Sequence, residues 1–124
     1  MRSMMMLFAL LLLLSPISLK AAEADVLVIA YGITARAARA AVEDLNASGR
    51  PVSLLALKTL WPVPEKVIAA KARPFKRVVV IEMNLGQYVR EIERLLAPKP
   101  VTFYGQMNGE LIGPAKIREV VEHG

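Results

Sequence analysis

The 124 residues give room for one domain. They are 55% hydrophobic and carry a net charge of +5, which becomes +4 without residues 1–24, where Arg2, Lys20 and Glu23 lie. The absence of cysteine excludes disulfides, cysteine-ligated iron–sulfur clusters and thiol catalysis within these residues. The basic residues are spread over several elements without aromatic interleaving, a pattern unlike a nucleic-acid surface.

Residues 4–14 are an unbroken run of eleven apolar side chains after Arg2, ended by Ser15 and Pro16. That is the length of a signal-peptide core and too short to span a bilayer. Ala22-Glu23-Ala24 offers a small-x-small cleavage site. Residues 1–24 therefore read as a signal-like apolar leader, an uncleaved apolar N-terminus, or a non-native N-terminus upstream of a truncated gene. Residues 25–124 form the domain.

Residues 26–30 are apolar throughout and are bounded by Tyr31, Gly32 and Thr34, as expected of a strand covered on both faces. A helix follows to Ser48. Ala35, Ala38, Val42 and Leu45 make its apolar stripe, with Thr34 as its N-cap and Arg39–Glu43 as an i,i+4 pair. Gly49 suits a left-handed cap. Residues 52–57 are the second strand. Two prolines stiffen the loop at residues 58–64, where Trp61 is expected to anchor in a groove. Pro64 is expected to be the first residue of a short helix that ends at Arg73-Pro74.

The third strand, residues 78–81, runs into Glu82-Met-Asn-Leu-Gly-Gln87. The helix after it is expected to carry Leu85, Val89, Ile92 and Leu96 on one face. Residues 101–104 are the fourth strand. A loop with Gly109 and Gly113 leads to a last helix opened by Pro114, with Ile117, Val120 and Val121 on its apolar face. Strand and helix alternate four times, which predicts a parallel sheet between two helical layers.

In such a sheet, ligands and partners meet the loops beyond the carboxyl ends of the strands. Gly32, Thr34, Glu82, Asn84, Gly86 and Gln87 are the candidate anion-binding or partner-docking residues there. A single glycine at Gly32 is no dinucleotide fingerprint. A helix start near Thr34 can accept a phosphate or serve only as a turn. Glu82, at the end of a buried strand, is either a base of raised pKa or a cap for neighbouring N–H groups, and no second carboxylate or histidine completes a catalytic pair. His123 stands beside the C-terminus, and no metal-ligand spacing occurs. No catalytic, cofactor-binding or metal-binding residue is assigned.

Residues 25–39 (DVLVIAYGITARAAR), Leu60-Trp-Pro-Val-Pro-Glu65 and residues 78–90 (VVVIEMNLGQYVR) resemble the C-terminal part of the alpha subunit of 2-oxoacid:ferredoxin oxidoreductases. The 2-oxoglutarate (KorA-like) type is the most similar. That part is domain II, similar to the C-terminal domain of transketolase. The resemblance runs from Glu23 to about His123. It implies a complex that decarboxylates a 2-oxoacid oxidatively, forms an acyl-CoA and reduces ferredoxin, using thiamine diphosphate and iron–sulfur clusters. In the family these groups are held by a pyrimidine-type domain, the beta subunit and cysteines outside domain II. The expectation is an isolated domain II with a structural and assembly role and no complete active site. Its partners would be the remaining alpha-subunit domains and the beta subunit, with ferredoxin reached indirectly and no nucleic acid or membrane span.

The resemblance also predicts a three-layer α/β/α, transketolase C-terminal-like fold whose four mainly parallel strands lie in the order 2-1-3-4. Residues 52–57 would form an uncovered edge unless residues near 17–22 pair with it. Ferredoxin chemistry points to the cytoplasm and the leader to export. The alternatives are a free-standing phosphate- or nucleotide-binding module and an exported protein reusing the fold.

Overall fold

The computed structural model of the chain describes residues 18, 19 and 25–123. The signal-like reading of residues 1–24 otherwise lies outside the described residues. Among the described residues, no helix is long and apolar enough to cross a membrane.

Five strands form one sheet: β1 (Ser18–Leu19), β2 (Val26–Tyr31), β3 (Val52–Leu57), β4 (Arg77–Glu82) and β5 (Val101–Gly105). Their order is β1-β3-β2-β4-β5. The four long strands are parallel and take the expected order 2-1-3-4. The fifth strand is an addition to the four-stranded expectation. β1 pairs antiparallel with β3, Ser18 opposite Leu55 and Leu19 opposite Leu54. The edge is therefore partly covered, as the sequence reading allowed.

Four helices connect the strands: α1 (Gly32–Ala47), α2 (Glu65–Ala72), α3 (Val89–Leu96) and α4 (Pro114–His123). The period of two along each strand sends alternate side chains to opposite faces. Leu27, Ile29, Leu55 and Val80 pack with Ile68 of α2 and Ile92 of α3 on one side. Val28, Leu54, Val79 and Ile81 pack with Val42 and Leu45 of α1 and Ile117 of α4 on the other. The aliphatic runs thus reflect burial on both faces, which is the three-layer arrangement predicted.

α1 stops as its sequence suggests. The Arg50 N–H donates to the Leu45 carbonyl at 2.9 Å and the Gly49 N–H to that of Asn46 at 3.1 Å. Gly49 sits at φ +82°. This is the paired C-terminal cap that favours glycine. The Asn46 side chain then grips the start of β3. Its Oδ1 accepts from the Val52 N–H at 2.8 Å, and its Nδ2 donates to the Val52 carbonyl at 3.1 Å.

Several local expectations are corrected. α1 begins at Gly32, so Thr34 lies inside the first turn, is buried, and is not the N-cap. Tyr31 holds that position without a side-chain cap. Pro64 is the N-cap of α2 rather than its first residue. Among the described residues Arg39 and Glu43 form no ion pair, and Asp44 instead faces Arg118 at 3.8 Å. α3 starts at Val89, so Leu85 is outside it and 79% exposed. His123 is an exposed residue in the last turn of α4.

Candidate functional site

The carboxyl ends of β2 and β4 bring Tyr31 and Glu82 together, although 51 positions separate them in the chain. Glu82 is 1% exposed. Its Oε1 accepts from the Tyr31 hydroxyl at 2.9 Å and the Tyr88 N–H at 2.9 Å, and more distantly from Asn84 Nδ2 at 3.3 Å. Its Oε2 accepts from the Val89 N–H at 3.0 Å. Tyr88 and Val89 are the N-cap and first residue of α3. The carboxylate therefore caps a helix whose first N–H groups have no intrahelical partner, and the helix dipole favours negative charge there. A buried carboxylate needs such donors. With its oxygens committed to structural donors, the geometry matches the capping alternative for Glu82 rather than a free general base.

Asn84 links the turn to this knot. Its Nδ2 donates to the Tyr31 hydroxyl oxygen at 2.8 Å. Its Oδ1 accepts from the Gly86 and Gln87 N–H groups at 2.7 and 3.2 Å. That local turn, with Gly86 at φ +96°, explains why α3 starts later than the apolar spacing suggests. Gly105 on β5 is required beneath it, because a Cβ there would lie 2.3 Å from the Asn84 carbonyl oxygen.

The buried Tyr88 and the half-buried Tyr31 stand beside Glu82. Burial, then the hydrogen bond to Glu82 and the Glu82 charge, push the Tyr31 hydroxyl up to about 12, against the opposing pull of Asn84. Burial and the charges of Glu91 and Glu82 also raise Tyr88. Tyr88 meets Tyr31 edge-on at 5.7 Å and Trp61 at 5.9 Å. Trp61 itself is 63% exposed, which corrects the expectation of a groove anchor. Its neighbours Leu60 and Val63 pack against the core instead, leaving the indole on the outside.

The six candidate residues do not form one site. Glu82, Asn84, Gly86 and Gln87 belong to the knot. Gly32 lines a separate cleft of about 540 Å³ at the ends of β2 and β3, with Arg36, Arg39 and Lys58. Thr34 lines an apolar groove of about 260 Å³ between the starts of α1 and α4. Sequence reasoning missed Tyr31 and Tyr88 in the knot, and Arg36 and Arg39 in the cleft. A tyrosine ending an otherwise aliphatic strand was the one visible signal, since its hydroxyl needs a partner when the ring is buried.

Residues 24–117 match the pyruvate:ferredoxin oxidoreductase core domain II family. The chain belongs to that family. Among curated relatives, the 2-oxoglutarate synthase subunit KorA of Archaeoglobus fulgidus is 37% identical over 102 residues, 81% of this chain and 28% of the relative. The ketoisovalerate oxidoreductase subunit VorB of Methanothermobacter thermautotrophicus is 36% identical over 100 residues, again 81% of this chain and 28% of the relative. The chain thus spans a little over a quarter of the length of these relatives. A structure of 2-oxoglutarate:ferredoxin oxidoreductase from Magnetococcus marinus, with 2-oxoglutarate, coenzyme A and succinyl-CoA bound, superposes with a TM-score of 0.75 at 30% identity. The match covers 90% of this chain and 20% of that one. A split-gene transketolase shares the fold at 24% identity, with a TM-score of 0.66 over 87% of this chain and 41% of the other. Residues 24–117 are thus a domain II of this family, on a fold shared with transketolase.

Proposed function

We propose that this domain II works in the alpha subunit of a cytoplasmic enzyme that oxidises 2-oxoglutarate to succinyl-CoA and passes the electrons to ferredoxin. The observation carrying this reading is the superposition on the Magnetococcus marinus enzyme over 90% of the chain. The domain's own task is structural: it is a preformed body that docks on the other alpha-subunit domain and the beta subunit. The knot at Glu82 supports that reading. It fixes the Glu82–Gln87 turn at the carboxyl end of the sheet, with both Glu82 oxygens accepting hydrogen bonds.

The family's iron–sulfur clusters need cysteine ligands, which the described residues do not offer. Among them no three of His, Cys, Asp and Glu converge as metal ligands, and the sequence has no cysteine for a cluster. Glu82, the carboxylate at the carboxyl end of β4, is consumed by the knot. In this reading thiamine diphosphate and the clusters are held by other parts of the assembly, and no catalytic step runs through these residues.

Co-expression with the remaining subunits of a 2-oxoacid:ferredoxin oxidoreductase from the same genome tests the proposal. The chain should co-purify in fixed stoichiometry. Because KorA and VorB relatives are similarly close, 2-oxoglutarate, ketoisovalerate and pyruvate should be compared as substrates. Preference for either of the last two would replace 2-oxoglutarate, and failure to co-purify would remove the assembly role.

A further inference from the structure

Two depressions at the carboxyl end of the sheet meet at one side chain. The apolar groove of about 260 Å³ is lined by Ile33, Met83, Leu111 and Ile112, with Arg36 at its border. Arg36 also lines the cleft of about 540 Å³ that contains Arg39 and Lys58. Ile33 and Leu111 are well exposed, at 56% and 63%. Among the described residues, none of Arg36, Arg39 and Lys58 meets a carboxylate. The other helical layer differs: there Arg94 is held by Glu65 at 2.6 Å and Glu91 at 2.9 Å.

We infer that the groove and cleft form one docking surface for an acidic, apolar protein segment of a partner subunit: a bulky apolar side chain in the groove, with carboxylates beside it facing Arg36, Arg39 and Lys58. The inference rests on the reading of the chain as domain II of an oxidoreductase assembly. Charge selects the occupant. No acidic residue lines either depression. A second copy joined through this face by a two-fold axis would bring like cations together, which is costly. The apolar residues 4–14 could fill the groove, but they carry no charge to meet the three cations. An acidic partner satisfies both halves of the surface.

The test uses the full chain co-expressed with its partner subunits. Arg36→Glu/Arg39→Glu should lower the affinity for the partners by about tenfold or more, because reversed charges would oppose carboxylates. Ile33→Asp should also weaken it, and the milder Arg36→Gln/Arg39→Gln should fall between wild type and the charge reversal. All these positions are exposed, so thermal unfolding should match wild type. Lys66→Glu on α2, in the other layer, should bind as wild type. Raising the salt should weaken wild type more than the reversed variant. Equal retention of wild type and every variant would overturn the docking surface while leaving the assembly reading intact. If wild type itself is not retained, the assembly reading falls and the docking surface falls with it. A wild-type dimer that Arg36→Glu/Arg39→Glu dissociates would assign the face to self-association and contradict the acidic partner.

Discussion

Glu82 shows how one side chain can join a strand, a helix and a turn. Its two oxygens take the first free N–H groups of α3 and a hydroxyl from β2. Replacing it with glutamine keeps the shape but turns an amide NH2 toward donors and removes the charge that faces the helix dipole. Hydrogen bonds to a charged group contribute about 1.5–3 kcal/mol each, but they are not additive. We therefore expect Glu82→Gln to destabilise the domain by roughly 2–4 kcal/mol in denaturant unfolding, with local loss of protection at Tyr88 and Val89. Wild-type stability would contradict the capping role.

Tyr31 adds a pH dependence at the same scale. Its hydroxyl is raised to about 12 in the fold, above the value near 10 of an unfolded tyrosine. A group whose folded pKa is raised contributes stability that is complete below the unfolded value and is lost as pH rises through the folded one. The contribution should thus be intact at pH 9 and decline between about pH 10 and 12. Melting curves of wild type and Tyr31→Phe should differ most at neutral pH, by about 1–2 kcal/mol for the lost hydroxyl contacts. The gap should narrow in that alkaline window. A constant gap up to pH 12 would show that the hydroxyl's ionisation is not coupled to folding.

At the scale of elements, local periodicity and capping chemistry account for much of what forms. The apolar runs of β2, β3 and β4 were legible because strands covered on both faces need no polar alternation. The Gly49 cap was legible because a left-handed residue is needed there. The start of α3 was not legible. Leu85 fits the apolar spacing, but Asn84 takes the Gly86 and Gln87 N–H groups and Glu82 supplies the cap later. That competition depends on a side chain folded back from the preceding strand. Thr34 was misplaced for a related reason: the turn at Gly32, φ +61°, starts the helix before the threonine can cap it. The junction of α1 and β3 offers a test at this scale. Asn46 satisfies both polar groups of Val52, so Asn46→Ala should cost about 1–2 kcal/mol. Amide exchange should rise at Val52 more than at Leu54 in the strand interior. Unchanged exchange at Val52 would show that solvent replaces the amide without penalty.

At the scale of the molecule, the parallel sheet followed from the alternation of elements and its order from the family resemblance, and the structure adds the short β1 along β3. The candidate site was only half legible. Glu82 and its turn stood out as a polar sequence after an aliphatic strand, whereas Tyr31 reaches it across the sheet and the cleft cations come from α1 and the loop after β3. Pairings between distant elements leave no local period to read. Under the proposed function, what the domain does likewise depends on surfaces that would meet other parts of an assembly. The most direct test is 2-oxoglutarate- and CoA-dependent reduction of ferredoxin by the partner subunits, purified with and without this chain. The account predicts activity in the complex containing the chain and its loss when the chain is omitted. Full activity without the chain would contradict it.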